Sequence, residues 1–138
     1  MTTIVETTGT VTQPVTLDKA RELLKQAVDK QGRDFVYNPE GSAYCFYRPM
    51  DPVRDFVAAE DVRTKTGCVV GEALKLAGET RHLESTLNPR GILSDYPDMM
   101  TDEAANYFWT AQKVQDRGGS WGAALDEAET WANSNRRD

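Results

Sequence analysis

Residues 101–132, TDEAANYFWTAQKVQDRGGSWGAALDEAETWA, contain two helical patterns separated by a pair of glycines. Thr101 is a suitable N-cap, and apolar residues recur behind it at three- and four-residue steps until the glycines interrupt them. Ser120 is a second suitable N-cap, and a stripe of the same spacing begins at Trp121. Because the connection is short, the stretch predicts two helices packed as an αα-hairpin.

Two further helices are predicted upstream of this hairpin. The first begins behind Thr16 as N-cap and stops at Gly32, with apolar residues along one face. The second covers residues 67–78, GCVVGEALKLAG, and is apolar on most sides, which is typical of a short buried helix. Residues 88–91, NPRG, read as a turn, and Asp51-Pro52 marks the start of a further short helix.

A change of period between the first two helices predicts strands. Residues 34–37, DFVY, and 43–48, AYCFYR, are rich in strand-forming side chains, and the NPEG sequence between them fits a turn. The pattern predicts a β-hairpin at about 34–48, packed on four to five helices. The expected fold class is therefore α+β.

The chain divides into three segments by composition. Residues 1–15 are rich in threonine and are expected to form a flexible arm. Residues 16–133 have the length of one ordinary domain, which we expect to be a single α+β unit. Residues 134–138 are expected to form a polar tail.

Charge and hydropathy exclude several function classes. The net charge is −6, from 16 basic and 22 acidic residues, and the last third of the chain is the most acidic. A field of that sign repels phosphate backbones, so nucleic acid is not an expected partner. The start of the chain does not resemble a signal peptide, and no apolar run is long enough to span a bilayer. We therefore expect a cytoplasmic protein without a membrane partner.

The cysteines offer one chemical alternative to packing. Cys45 and Cys68 form no metal-binding spacing, and the only histidine is His82, so we expect two free thiols and no metal site. Cys68 follows Gly67 at a predicted helix start, a position that favours a nucleophilic thiolate, and His82 is a conceivable base for it. Packing of Cys68 as a small hydrophobe is the favoured interpretation. The Gly67…Gly71 pair lacks phosphate-loop and dinucleotide fingerprints, and no cofactor is predicted.

Aromatic residues are the stronger candidates for binding. Tyr37, Tyr44 and Tyr47 crowd the predicted hairpin, and Trp109 falls off the apolar stripe of its helix. An aromatic side chain in such a position either packs on a neighbouring element or serves as a binding anchor. With Cys68, these four residues form the predicted binding set.

Several motifs also resemble a known group of proteins. They are Asp34-Phe-Val-Tyr37, Cys45-Phe-Tyr47, Gly67-Cys68-Val-Val-Gly71 and Ala111-Gln112…Gln115-Asp116…Gly119-Ser-Trp121-Gly122-x-Ala124. In this order they resemble short proteins encoded by actinobacterial bacteriophages and related genomes. The resemblance covers about residues 20–130 and implies phage origin and a single domain, but no reaction. The segment 49–66 departs from the group's pattern.

The sequence therefore favours a small, phage-encoded, non-enzymatic protein that binds a host or phage protein in the cytoplasm. Two alternatives stay open. One is a homo-oligomeric structural or virion-associated protein that uses its N-terminal arm to add a strand to a neighbour. The other is a small-ligand-binding protein or enzyme with a pocket near Cys68. A nucleic-acid mimic is a weaker fourth hypothesis, because it needs the acidic charge gathered on one face.

Overall fold

The computed structural model describes residues 13–37, 68–79 and 88–135. Most of them belong to five helices: α1 (Leu17–Gln31), α2 (Val69–Leu76), α3 (Pro89–Asp95), α4 (Asp102–Asp116) and α5 (Trp121–Asn135). Helix α4 packs against each of the other four and so forms the centre of the bundle. Helix α5 returns along α4 after a short connection, which gives an antiparallel pair.

The three predicted N-caps are confirmed by hydrogen bonds. The hydroxyl of Thr16 accepts from the amide of Lys19 at 3.2 Å, and that of Thr101 accepts from the amide of Ala104 at 3.2 Å. The Ser120 hydroxyl accepts from the third residue of its own helix at 3.1 Å. Each bond gives an acceptor to an amide that has no partner within its helix. The starts of α1, α4 and α5 could therefore be predicted from local sequence.

The predicted α+β class is wrong. Within the described residues there is no strand, and extended pairing is limited to two isolated bridges. The first strand-like run, residues 34–37, contributes one of these bridges, in which Val36 pairs with Ser120. The second run, residues 43–48, lies outside the described part of the chain. What the structure describes is an α-helical domain.

The first amides of α5 explain why residues 33–36 do not pair as a strand. The Phe35 carbonyl accepts from the amide of Trp121 at 2.8 Å, and the Arg33 carbonyl accepts from the amide of Gly122 at 2.8 Å. The ring of Phe35 also packs edge-on against the Trp121 indole, with centroids 4.8 Å apart. The segment is extended, but a helix end takes its carbonyls in place of a neighbouring strand.

Residues 88–91 are also not an isolated turn, because they begin helix α3. The Asn88 side chain accepts from the amide of Gly91 at 2.9 Å, and Pro89 occupies the first turn. Proline is suited to that position, since its missing N–H would have no partner within the helix. The sequence NPRG therefore acts as a cap and a first turn.

The described residues include the last part of the predicted arm and the first part of the predicted tail. Helix α5 continues to Asn135, two residues into the predicted tail. Val15, the last residue of the predicted arm, is buried. Its amide donates to the carbonyl of Met99, and its carbonyl accepts from the amide of Thr101, both at 2.9 Å. Residues 1–12 lie outside the described residues, and so does the short helix predicted at Asp51-Pro52. None of the helices in the described ranges is long and apolar enough to cross a membrane.

Candidate functional site

The predicted binding residues lie in different surroundings. Tyr37 and Cys68 belong to the hydrophobic core, with 7% and 0% of their surface exposed. Trp109 lies on α4, outside that core, and is half-buried. Tyr44 and Tyr47 lie outside the described residues. Of the set, Trp109 is the member that the structure places at the surface.

A cation covers the ring of Trp109. The ammonium of Lys113, one turn further along α4, lies 5.5 Å from the centroid of the indole. A cation at that distance from an aromatic face is attracted to it and contributes about 0.5–1 kcal/mol at an exposed site. The pair presents a flat apolar ring and a positive charge on the same face of the helix.

Cys68 is disulfide-bonded, so the expectation of a free thiol there is wrong. The only other cysteine in the sequence is Cys45. Cys68 does stand immediately before α2, as the sequence indicated, but its side chain caps no amide. In a disulfide the sulfur is not a nucleophile, and the conceivable base, His82, lies outside the described residues.

Gln115 joins three helices at the buried end of α4. Its side-chain carbonyl accepts from the amide of Val69 at 2.8 Å and from the indole Nε1 of Trp121 at 3.1 Å. Its amide group donates to Asp116 at 3.0 Å. Only 1% of Gln115 is exposed. One buried side chain in the last turn of α4 therefore caps the start of α2 and bonds to the first residue of α5.

The same bond bears on whether the start of α2, behind Gly67, could bind an anion through its backbone amides. The first amide of α2, on Val69, already has a partner in Gln115. A bound phosphate needs such amides free to donate. The start of α2 is therefore better explained by helix packing than by anion binding.

Two glycines allow close packing around the start of α5: Gly119 in the connection to α4, and Gly122 in the first turn of α5. A Cβ atom on Gly119 would lie 2.6 Å from the Val114 side chain and 2.9 Å from its carbonyl oxygen. A Cβ atom on Gly122 would lie 2.9 Å from the carbonyl oxygen of Arg33. Real side chains do not approach backbone atoms this closely, so both positions require glycine. Within the motif from Gln115 to Gly122, the packing at this point depends on Gln115, Gly119, Trp121 and Gly122.

A second polar network joins α1, α4 and α5. Arg21 forms a two-pronged pair with Glu129, with its Nη2 2.7 Å and its Nε 3.1 Å from the two carboxylate oxygens. The Tyr107 hydroxyl donates to the same carboxylate at 2.5 Å. The hydrogen bond from Arg21 lowers the pKa of Glu129, and burial raises the pKa of Tyr107. The carboxylate stays ionised and fixes the three helices relative to one another.

Replacing Glu129 with glutamine should reduce the sensitivity of the fold to acid. The folded-state pKa of Glu129 lies below its ordinary 4.5, so its stabilisation is complete above that pH and disappears as the pH falls through the lowered value. We expect Glu129→Gln to cost about 1–2 kcal/mol at neutral pH. Thermal unfolding at pH 7 and about pH 3 should show a smaller decrease in Tm for the variant than for the wild type.

The matched control for this prediction is Glu22→Gln. It removes the same charge from α1, where Glu22 forms an exposed pair with Lys19, and it should keep the pH response of the wild type. The prediction fails when the Glu129 variant loses as much Tm on acidification as the wild type does.

The sequence did not predict the hydrogen bonds of Gln115 or the network of Arg21, Tyr107 and Glu129. Arg21 and Glu129 look like ordinary residues of polar helix faces, and nothing in their local spacing reveals a partner more than a hundred residues away. Gln115 had a signal, since it stands within a motif, but its bonding role depends on the position of α2. Among the described residues, no group of three histidine, cysteine or acidic side chains is arranged to hold a metal ion.

The geometry therefore gives one surface candidate, the Trp109–Lys113 pair, and two networks that hold the helices together. Comparison of the chain with protein-family models, curated proteins and solved structures gives no match.

Proposed function

We propose that this chain is a small, non-enzymatic protein that binds another protein through the face of α4 that carries Trp109. The observation that supports it is a half-buried tryptophan outside the hydrophobic core, with the Lys113 ammonium over its ring. Tryptophan is among the residues most enriched at the energetic centres of protein interfaces. Its ring contributes a large apolar area, and a neighbouring charge adds orientation.

The ionisable groups with shifted pKa values agree with a binding protein. Arg21, Glu129 and Tyr107 bond to one another between helices, and their shifts follow from those contacts and from burial. Structural ion-pair networks perturb pKa values as catalytic sites do. These three groups have a structural use, and the pKa of Asp116, which burial raises, belongs to a carboxylate that accepts a hydrogen bond from the buried Gln115 side chain.

The proposal places the protein in the cytoplasm of a host cell, as the resemblance to phage-encoded proteins implies. Cytoplasmic thiols are mostly kept reduced, so a lasting disulfide at Cys68 argues against this compartment. Alkylation of freshly lysed cells under denaturing conditions tests the point. Alkylated Cys68 agrees with the cytoplasm, and a protected Cys68 contradicts it.

The binding proposal predicts that Trp109→Ala abolishes capture of the partner. Tagged wild-type protein and tagged variant are used as baits in host lysate, and bound proteins are identified by mass spectrometry. Truncating a central tryptophan costs about 2 kcal/mol or more, which weakens binding about 30-fold. A protein recovered with the wild type should therefore be absent from the variant sample.

The control bait is Lys25→Ala, which changes an exposed residue of α1. It should recover the same partner as the wild type. Equal recovery by the Trp109 variant would place the interface elsewhere, and recovery of no specific protein by the wild type would count against a binding function.

A further inference from the structure

The side of α4 that faces away from the bundle carries opposite charges at its two ends. Asp102 and Glu103 stand in the first turn of the helix, and Lys113 stands in the last turn. Arg117 follows directly as the C-cap, and Trp109 lies between the two ends. The positions 102, 109, 113 and 117 are seven, four and four residues apart, which places their side chains along one face. These five residues define the exposed face of α4.

Most of the charges on this face have no ionic partner within the protein. In the described ranges, Glu103, Lys113 and Arg117 belong to no ion pair. Asp102 is paired with Arg90 at 3.3 Å, but 73% of its side chain is exposed, which leaves it open to a second cation. The acidic end and the basic end are therefore both available to another molecule.

Neighbouring charges reduce this contrast but do not remove it. Asp116 stands beside the basic end, and its carboxylate accepts a hydrogen bond from the buried Gln115 side chain at 3.0 Å. With Asp116 included, the basic end has two positive charges and one negative charge. With Arg90 included, the acidic end has two negative charges and one positive charge. The two ends therefore keep opposite signs.

A helix face with opposite charges at its ends is complementary to itself. When two copies pack antiparallel around a two-fold axis, each position meets the position of the second copy that lies equally far from the axis. Thr110 lies midway between Glu103 and Arg117, so an axis beside it places the acidic end of each copy against the basic end of the other. Each end then lies about 10 Å from the axis along the helix. The same axis brings the two copies of Trp109 together at the centre.

We propose that the exposed face of α4 pairs in antiparallel orientation with the same face of a second copy of this chain. The two Trp109 rings supply the apolar centre, and the acidic end of each copy meets Lys113 and Arg117 of the other. Tryptophan is enriched at the centres of interfaces, and complementary charges fix the orientation of the partners. The net charge of −6 on each copy is largely screened beyond about 8 Å at physiological salt, whereas charges in contact are screened much less.

This inference rests on the same face as the proposed protein-binding function, and it names what covers that face when no other partner is present. One helix of about four turns from each copy makes a small interface, and interfaces at the low end of the size range belong to transient complexes. The dimer therefore exchanges with free monomer. A different protein that binds the face competes with the second copy.

Sedimentation of the purified protein at roughly 10 µM to 1 mM tests the proposal. The wild type should pass from monomer to dimer over this range. Trp109→Ala should weaken the association about 30-fold or more, because the substitution removes the central ring from both copies at once.

Charge reversal distinguishes this interface from any other. Asp102→Lys/Glu103→Lys makes both ends of the face basic, and Lys113→Glu/Arg117→Glu makes both ends acidic. Each double variant alone should associate at least about tenfold more weakly than the wild type, because like charges then meet. An equimolar mixture of the two variants should form dimers again, since a basic face is complementary to an acidic face.

The matched control is Lys19→Glu/Lys25→Glu. It makes the same change in net charge as the acidic variant of α4, at two exposed positions of α1, and it should dimerise like the wild type. Thermal unfolding shows whether each variant is folded. In place of a reversed variant that does not fold, Lys113→Gln/Arg117→Gln removes the charges and should weaken association about fivefold.

Three results would overturn the proposal. One is a wild type that stays monomeric over the whole concentration range. Another is dimerisation of the folded reversed variants at the wild-type concentration, which would place the interface elsewhere. The third is a mixture of folded reversed variants that stays monomeric. A monomeric wild type that still captures a partner through Trp109 would retain the proposed function without the dimer, and a dimer that captures no partner would retain self-association alone.

Discussion

Replacing Trp121 with alanine is expected to lower the free energy of unfolding by about 3–5 kcal/mol, the usual cost of truncating a fully buried tryptophan. The side chain has no exposed surface. Its ring packs edge-on against Phe35, and its indole N–H donates to Gln115. The substitution leaves a cavity at the junction of three elements and removes a buried hydrogen bond at the same time.

Urea unfolding followed by circular dichroism measures the effect, and Trp109→Ala is the matched control. Trp109 is half-buried and lies outside the core, so its truncation should cost less than about 2 kcal/mol. If Trp121→Ala does not fold, Trp121→Phe keeps most of the ring volume and should still lose about 1–3 kcal/mol. Equal losses at positions 121 and 109 would contradict the packing described for α5.

Gln115→Leu is expected to have the second largest effect, about 2–4 kcal/mol. Leucine fills a similar volume but accepts no hydrogen bond, so the amide of Val69 and the indole of Trp121 both lose their buried acceptor. A buried donor without a partner costs about 1–3 kcal/mol. Most of the lost stability therefore comes from leaving these two buried donors without an acceptor, and less from removing the glutamine side chain.

A double-mutant cycle isolates this cause. Phenylalanine at position 121 has no N–H, so Gln115→Leu should cost about 1 kcal/mol less in the Trp121→Phe background than in the wild type. Gln26→Leu, on the exposed side of α1, is the control and should stay within about 0.5 kcal/mol of the wild type. Additive losses at positions 115 and 121 would show that the two side chains do not share a bond.

Local signals explain which parts of the fold could be predicted. Thr16, Thr101 and Ser120 were recognisable as N-caps because a cap bonds to an amide only three residues away. The same locality made the helical stripes of α4 and α5 readable. Where the bonding partner of a residue lies within one helical turn, the role of that residue can be predicted from its neighbours in the sequence.

Distant partners explain the principal error. Phe35 and Val36 favour extended backbone, and the segment is extended as predicted. That preference does not indicate which part of the chain the extended backbone will pair with. Their segment pairs with the start of α5, more than eighty residues away. A strand and an extended capping segment share the same local signal, so propensity alone could not separate them.

The candidate site shows the same division. Trp109 could be selected because it breaks the period of its own helix, whereas the network of Arg21, Tyr107 and Glu129 joins three helices and has no continuous sequence pattern. Arg21 and Glu129 look like any charged residues of polar helix faces. Only the assembled helices bring them together.

The capping of α5 by residues 33–36 has a consequence for the order of folding. Its first turn gains backbone acceptors only after the chain has brought Arg33 and Phe35 to it across a long loop. Closing such a loop is entropically unfavourable and slows the search for native contacts. We therefore expect the first turn of α5 to consolidate late, after α1 has docked, while the remainder of the helix forms early against α4.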